Sequence, residues 1–165
     1  MDNTNEKEQV GIEAIKPDNI KENIPYYMHR IPRWIGAGSG WGYTQEDALI
    51  MACKNPQKGI ENEYEFVGQR SKIEVGKIPD MVYDSFELKR QRLIEKDGCH
   101  YDVLQFRVNF LTHEDWLFLK NDYESHDGYN DDDDGYDKYE ELKSQKMRYY
   151  ISECWINIDS FWGKY

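Results

Sequence analysis

Apolar and polar residues alternate in two neighbouring runs of the chain, and a turn signal lies between them. Phe86, Leu88 and Ile94 occupy alternating positions of the first run. The second run has the same period of two, with alternating positions at Asp102, Leu104, Phe106, Val108 and Phe110. The pair Asp97-Gly98 between them accepts positive φ, as a two-residue hairpin turn requires. The pattern predicts an antiparallel hairpin over about 85–96 and 100–111, although Glu, Lys, Arg and Leu leave a helix over 84–96 open.

After the hairpin, the apolar period changes from that of a strand to that of a helix. Thr112 followed by Asp115 is a capping pattern. Trp116, Leu119 and Tyr123 then recur at helical spacing. These features predict a helix over about 113–124.

The C-terminal part of the chain predicts a second helix and a last strand. The helix covers about 137–147, with Tyr139 and Leu142 as its apolar positions. The strand covers about 149–158, and one of its faces is predicted to carry Tyr150, Cys154, Ile156 and Ile158.

The N-terminal half is less regular. Residues 1–23 are polar and predicted to be a mobile tail. The segment 26–35 is rich in Tyr, Ile and Trp and predicts a strand. A capping pattern at 44–47 predicts a short helix over 48–53, which Asn55-Pro56 is expected to end. Residues 61–77 fit both helical and strand spacing, and the helix is favoured.

Together these elements predict an α+β fold. Its antiparallel sheet is built around the central hairpin, about 85–111, with two or three short helices packed on one side. A chain of 165 residues is expected to form one domain. This domain is predicted to cover 24–165 and to carry an acidic loop at 125–137.

One segment holds almost all of the net charge of −11. Residues 114–141 contain twelve Asp or Glu and two Lys, which leaves twenty acids and nineteen bases in the rest of the chain. The acids of such a segment repel one another unless a metal ion or a basic protein neutralises their charge, or water and salt screen it. Its acidity argues against direct binding of nucleic acid, which requires Lys and Arg against phosphate.

The centre of this segment resembles the calcium-binding loop of the EF-hand family over twelve residues. Counting from Asn130, the pattern has Asp132 third, Asp134 fifth, a glycine sixth and Glu141 twelfth. The resemblance implies Ca²⁺ binding by the side-chain oxygens of Asn130, Asp132, Asp134 and Glu141 and by the backbone carbonyl of Tyr136. The sequence departs from the family at the first position, where Asp is usual, and at the ninth, where a lysine cannot ligate.

No enzyme motif stands out. The glycines at 36, 38, 40 and 42 do not match the spacing of a dinucleotide-binding loop, a P-loop or a nucleophile elbow. The loop 36–42 is therefore interpreted as a structural turn with Trp34 and Trp41 at its ends. The four histidines show no metal-binding spacing, and the chain is expected not to be an enzyme.

The cysteines and the absence of long apolar runs bear on location. Cys53, Cys99 and Cys154 are widely spaced and odd in number, as expected of reduced thiols. The sequence has neither an apolar leader at its start nor a run of membrane-spanning length. A cytoplasmic protein without a membrane partner is predicted.

The leading hypothesis is a non-enzymatic module that binds a basic protein partner through an acidic, aromatic surface. Thirteen Tyr, five Trp and six Phe supply rigid contact area for such a surface. An immunity-type or inhibitor role is its concrete form. The residues predicted to contact the partner are Trp34, Trp41, Asp131, Asp132, Asp133, Asp134 and Tyr136. The alternatives are a calcium-binding helix-loop-helix module and an enzyme or small-ligand protein whose pocket is assembled from scattered residues.

Overall fold

A computed structural model describes residues 33–164. The N-terminal tail predicted for 1–23 and most of the strand predicted for 26–35 lie outside the described residues. In chain order the elements are β1 (Leu49–Ile50), α1 (Pro56–Gly76), β2 (Met81–Lys96), β3 (Cys99–Thr112), α2 (His113–Ser125), a 3-10 helix (Asp127–Tyr129), α3 (Asp133–Lys146) and β4 (Arg148–Asn157).

The four strands form one mixed sheet in the order β1-β4-β3-β2. Neighbouring strands pair in antiparallel fashion, except that β1 joins β4 in parallel. With three helices beside this sheet, the predicted α+β class is confirmed. The last predicted strand is confirmed as β4, whose Tyr150, Cys154 and Ile156 are all buried.

The predicted central hairpin is confirmed as β2 and β3, and the alternative helix over 84–96 is wrong. Asp97 and Gly98 have φ of 54° and 76°, the left-handed conformation that this hairpin turn needs at both positions. The pairing register shifts at Asp84 and again at Lys89. These irregularities bend β2, which is the edge of the sheet among the described strands.

The segment before α1 departs from the prediction. Thr44 Oγ1 accepts a hydrogen bond from the backbone N of Asp47 (3.2 Å), as in a helix cap. A turn follows, however, and the helix predicted for 48–53 is wrong. Leu49 instead lies fully buried in β1, beside Ile156 of β4. An isolated helix this short is unstable, whereas an extended apolar run gains burial and backbone partners at a sheet edge.

The long helix α1 confirms and extends the helix favoured for 61–77. It begins at the dipeptide Asn55-Pro56, which was predicted to end a helix. Asn55 Oδ1 accepts a hydrogen bond from the backbone N of Lys58 (3.1 Å). Pro56 fills the first helical position, where a backbone N–H is not needed. At 21 residues, α1 is much longer than the short helices predicted.

The main core lies between α1 and one face of the sheet. Its buried side chains include Phe66, Val67 and Ile73 of α1 and Leu104, Phe106, Val108, Phe110 and Ile156 of the strands. The opposite face of the sheet presents Arg107 and Asn109, and α3 borders it there. The sequence had predicted that all helices pack on one side of the sheet. In the structure, α1 covers one face and α3 borders the other.

Arg70 on α1 is the largest fully buried side chain. Its Nη1 donates a hydrogen bond to the carbonyl of Trp41 (2.8 Å). Its Nη2 donates to the carbonyl of Glu153 (2.7 Å) and to Ser152 Oγ (3.0 Å). Its Nε lies 3.3 Å from Glu74 Oε1, one helical turn further on. One guanidinium thus joins α1, the loop before β1, and β4.

The carboxylate of Glu74 is bonded through both of its oxygens. The Tyr43 hydroxyl donates to Oε1 (2.7 Å), and the Tyr150 hydroxyl donates to Oε2. Burial and the Glu74 charge raise the pKa of both tyrosines far above the ordinary value. Both hydroxyls therefore remain donors, so both oxygens of the Glu74 carboxylate are hydrogen-bonded, while Arg70 Nε makes an ion-pair contact with it rather than a hydrogen bond.

Replacing Arg70 by Met is expected to destabilise the fold by about 3 kcal/mol or more, because Glu74 then stays buried without its cation. Adding Glu74→Gln is expected to recover about 1 to 2 kcal/mol, since a neutral amide is less costly to bury. Urea unfolding of R70M, E74Q and the double variant measures the coupling between the two residues. A coupling energy near zero would contradict the role assigned to this pair.

Candidate functional site

α2, the 3-10 helix and α3 form a helical hairpin, residues 113–146, called the acidic hairpin below. The helix predicted for 113–124 is confirmed as α2. Thr112 Oγ1 caps it by accepting a hydrogen bond from the backbone N of Asp115 (3.0 Å). The second predicted helix is confirmed as α3, but it begins at Asp133 rather than at 137.

The early start of α3 shortens the acidic loop predicted for 125–137. Asp132 Oδ1 accepts a hydrogen bond from the backbone N of Gly135 (2.9 Å) and so caps the helix. Asp133 and Asp134 lie in the first turn, where the helix dipole and the unpaired N–H groups favour negative charge. Part of the acidic run therefore stabilises a helix start, which the charge count alone does not show.

The connection between α2 and α3 is a tight, left-handed turn. Positive φ values, between 50° and 68°, occur at Asp127, Gly128, Tyr129 and Asp131. Such a φ is uncommon for Tyr. The Tyr129 ring stacks on His126, with centroids 4.6 Å apart, and its hydroxyl donates to Asp122. This hydrogen bond to a carboxylate raises the pKa of Tyr129 to about 12.

Four tyrosines pack together between the two helices of the acidic hairpin. This tyrosine cluster consists of Tyr123, Tyr129, Tyr136 and Tyr139. Ring centroids are 5.4 Å apart for Tyr123 and Tyr139 and 5.7 Å apart for Tyr129 and Tyr139. Tyr123 and Tyr136 nevertheless keep 41% and 43% of their surface exposed. The cluster therefore packs the two helices together and also leaves aromatic surface exposed.

The charges of the acidic hairpin are paired at its base and unpaired towards its tip. At the base, Lys146 Nζ lies 2.9 Å from Asp115 Oδ1, and Lys143 Nζ lies 3.1 Å from Asp84 Oδ1 of β2. Within residues 33–164, all eight acids between positions 127 and 141 are exposed and have no ion-pair partner. These are Asp127, Asp131, Asp132, Asp133, Asp134, Asp137, Glu140 and Glu141. The tip is therefore a concentrated anionic surface beside exposed tyrosines.

The two tryptophans predicted to contact a partner lie elsewhere. Trp41 is only 3% exposed, with its ring centroid 6.1 Å from that of Phe66. Trp34 is half-buried and meets the same phenylalanine edge to face. Both belong to the packing around α1, so they do not join Asp131, Asp132, Asp133, Asp134 and Tyr136 in one surface.

The loop between these tryptophans is folded tightly against its surroundings. Gly42 has a φ of 79°, and a Cβ atom there would lie 2.7 Å from Cys154 Sγ. Its backbone N donates to the carbonyl of Asp47 (2.6 Å), and the backbone N of Gly40 donates to the carbonyl of Ala48 (3.0 Å). The glycines thus serve a close backbone approach, as interpreted from the sequence.

Sequence reasoning missed two exposed apolar residues on α2. Leu117 is 40% exposed and Phe118 is 51% exposed. The helical spacing of Trp116, Leu119 and Tyr123 defines one apolar side of α2. Leu117 and Phe118 are apolar but lie off that side, and this was the sequence signal for an exposed apolar surface. The Lys146 ammonium lies over the Phe118 ring, 4.9 Å from the ring centroid, in a cation–π contact. The aromatic surface of the acidic hairpin therefore extends along α2.

The residues implied as calcium ligands have a different geometry from an EF-hand loop. Asp134, Tyr136 and Glu141 lie inside α3, where side chains two positions apart project about 200° apart around the axis. No three His, Cys, Asp or Glu side chains within residues 33–164 are grouped so that they could hold a metal ion. Asp132 is committed to its cap and Asn130 lies in the turn. Calcium binding remains a prediction.

A pair of buried acids lies apart from the acidic hairpin, between α1 and β3. Glu63 is 1% exposed and Asp102 is 3% exposed, and the two carboxyl groups are close enough to influence each other's titration. Gln91 Nε2 donates to Asp102 Oδ2. Burial, followed by the Asp102 charge, raises the pKa of Glu63 to about 9. The pair therefore keeps one proton at neutral pH.

Comparisons of the chain with protein-family models, with curated proteins and with solved structures found no match. Among residues 33–164, no helix combines the length and apolar character needed to cross a membrane.

Truncating Tyr139 to Ala is expected to loosen the acidic hairpin without unfolding the core, because this ring touches the other three members of the tyrosine cluster. Hydrogen exchange in α2 and α3 should become at least tenfold faster, corresponding to about 1.4 kcal/mol of local stability. Tyr136→Ala is the matched control, since Tyr136 contacts only Tyr139 in the cluster. Equal effects of both substitutions, or uniform acceleration in β3, would contradict this role.

The Glu63–Asp102 pair predicts a pH dependence of stability with a definite sign. In the unfolded chain Glu63 loses its proton near its ordinary pKa of 4.5, whereas the folded protein keeps it to about 9. Between these values the folded state binds more protons, so the free energy of unfolding falls as pH rises, by up to about 1.4 kcal/mol per pH unit. Glu63→Gln is expected to make the free energy of unfolding less dependent on pH and, at pH 9, to raise it relative to that of the parent.

Urea unfolding at pH 5, 7 and 9 measures this effect. Glu65→Gln, on the exposed side of α1, is the matched control and should retain the parent's slope. Parallel curves for the parent and the Glu63 variant would show that the pair holds no extra proton.

Proposed function

We propose that this chain is a non-enzymatic protein-binding module that engages a basic partner through the tip of its acidic hairpin. The single observation that carries the proposal is the ordered surface in which eight acids without an ion-pair partner flank two exposed tyrosines. Uncompensated charge of one sign on a folded surface is costly to keep unless a partner uses it.

Electrostatics and aromatic contact act at different stages of binding. Concentrated negative charge attracts a positive surface before contact and increases the association rate, an effect that salt weakens. Tyr123 and Tyr136 then supply rigid contact area at a small cost in side-chain entropy. Leu117 and Phe118 extend that area along α2.

An immunity-type or inhibitor role is the proposed form of this binding. Proteins that act on nucleic acids or membranes use basic surfaces, and an ordered anionic lobe can occupy such a surface in place of its target. The three cysteines are free thiols, which supports the proposal that the protein works in a reducing compartment such as the cytoplasm.

The test compares two variants that remove the same number of charges. In the tip variant, the substitutions to Asn are at Asp131, Asp133, Asp134 and Asp137, and Asp132 is kept as the cap of α3. The control variant carries Glu46→Gln, Glu65→Gln, Asp80→Asn and Asp97→Asn, all at exposed positions. Circular dichroism establishes that both variants fold.

Proteins captured by the parent from a lysate of the source cells are identified, and affinity is then measured with the purified partner. The captured protein is expected to be basic and to bind the tip variant at least tenfold more weakly at 50 mM salt, with a smaller salt dependence. The control variant is expected to bind like the parent. Equal affinity for both variants, or an acidic partner, would refute the proposal.

The same measurement bears on the inhibitor role and on calcium. Stoichiometric addition of the parent should suppress the partner's own activity if the hairpin covers its functional surface. Partner affinity should be the same in 1 mM CaCl₂ and in EDTA. A requirement for Ca²⁺ would favour the calcium-binding alternative instead.

A further inference from the structure

The end of the sheet furthest from the acidic hairpin carries a separate small pocket. It lies where the β2–β3 hairpin meets the C-terminal turn of the described chain, and its volume is about 170 Å³. It is called the end pocket here. Its lining residues are Leu93, Ile94, Glu95, His100, Tyr101 and Trp162. β3 runs from this pocket to the first residue of α2, so the pocket and the start of the acidic hairpin lie roughly 40 Å apart.

The walls of the end pocket are held in place by directional bonds. Asp159 Oδ1 accepts hydrogen bonds from both the backbone N (2.8 Å) and the Nδ1 (2.9 Å) of His100. The imidazole stacks on Trp162, with centroids 4.6 Å apart and planes 16° apart. The backbone N of Ile158 donates to the carbonyl of His100 (3.0 Å), which anchors the C-terminal turn to β3. The pocket is therefore preformed.

Apolar surface remains exposed around the end pocket. Leu93 is 58% exposed, the largest fraction among the exposed large hydrophobic residues of the described chain, and Trp162 is 38% exposed. Neither belongs to the core clusters. One face of the indole stacks on His100, and the exposed fraction of Trp162 leaves aromatic surface for a ligand. These residues offer an apolar wall and an aromatic face.

The charges at the end pocket are of one sign. Glu95 lies on its rim, with a side chain 74% exposed and Oε2 4.0 Å from Nε2 of His100. Asp159 lies behind the imidazole. Within residues 33–164, no lysine or arginine lines the pocket. An apolar stem that ends in a positive group matches this combination, because the stem covers Leu93 while the cation lies near the indole and Glu95.

The size of the end pocket narrows the source of such a ligand. Pockets that enclose a small molecule usually measure about 300–1,000 Å³, whereas a cavity of about 150 Å³ holds a single benzene ring. The end pocket therefore accommodates one side chain rather than a whole cofactor. We propose that it binds a lysine or arginine side chain of a partner protein, as a second contact site independent of the acidic hairpin.

The experiment titrates the protein labelled at its Trp and His side chains and follows the indole N–H resonance of Trp162. The probes are Nα-acetyl-lysine-N-methylamide, Nα-acetyl-arginine-N-methylamide, n-pentylammonium, 1-pentanol and Zn²⁺. Both blocked amino acids are expected to bind saturably, with Kd on the order of 1 mM, and at least as tightly as n-pentylammonium. 1-Pentanol is expected to bind more weakly, since it lacks the charge.

Two substitutions test the contributions of charge and ring. Glu95→Gln should weaken binding of the blocked lysine about threefold, the size expected for an exposed charge. Trp162→Leu should weaken it about fivefold, because the cation loses the ring face; since the indole is absent, binding to this variant is followed by the ring resonances of His100. Glu87→Gln, an exposed acid further along β2, is the control and should have no effect.

Several outcomes would overturn the assignment. These are no saturation by either blocked amino acid, equal binding of 1-pentanol, unchanged affinity in both the Glu95 and Trp162 variants, tighter binding of the free amine than of either blocked amino acid, or displacement of every amine by stoichiometric Zn²⁺ at Nε2 of His100. The tip variant of the acidic hairpin should bind the blocked lysine normally. A failure of the end pocket is thereby distinguishable from a failure of the proposed function.

Discussion

The buried guanidinium of Arg70 is the interaction on which the arrangement of the fold depends. Apolar packing between α1 and the sheet supplies most of the stabilising free energy, but it is not directional. The guanidinium adds direction, because its fixed donors reach Trp41, Ser152 and Glu153 in two different segments. Glu74 and two tyrosine hydroxyls complete the network, so that no charge is left without a partner. The position of α1 sets the sheet face against which the core packs, and hence the opposite face that α3 borders.

Separation of the acids from this core explains how the fold tolerates them. The acidic hairpin connects β3 to β4 at one end of the sheet and has its own small centre of tyrosine rings. Lys143 and Lys146 neutralise the base of the hairpin, while Asp132 and the two acids after it stabilise the start of α3. Repulsion among the remaining acids therefore acts on the hairpin tip rather than on α1 or the sheet.

Local patterns predicted the elements that depend on local physics. Alternation and the Asp97-Gly98 turn predicted the hairpin, since its register follows from neighbouring residues. The Thr112 cap predicted α2 for the same reason. The predictions were wrong where residues distant in sequence determine the local structure. Leu49 and Ile50 became a strand because β4, more than a hundred residues later, offers them backbone partners. Trp41 became core because α1 passes over it. At the candidate site, the acids and Tyr136 could be predicted from composition, whereas the stacked tyrosines and the end pocket depend on contacts between separate elements.

The order within the acidic hairpin favours the proposed binding surface over a solvated loop. A mobile run of aspartates would lose backbone and side-chain entropy on binding, and that loss would offset much of the electrostatic gain. In this protein much of that entropy is lost during folding rather than on binding. The cap at Asp132, the left-handed turn at Tyr129 and the tyrosine cluster fix the backbone that carries the charges. A partner of the proposed kind would therefore meet acids at defined spacing beside exposed rings. Such a surface can discriminate by shape as well as by charge, which is the property that a specific inhibitor of one basic protein requires and that a polyanionic tail lacks.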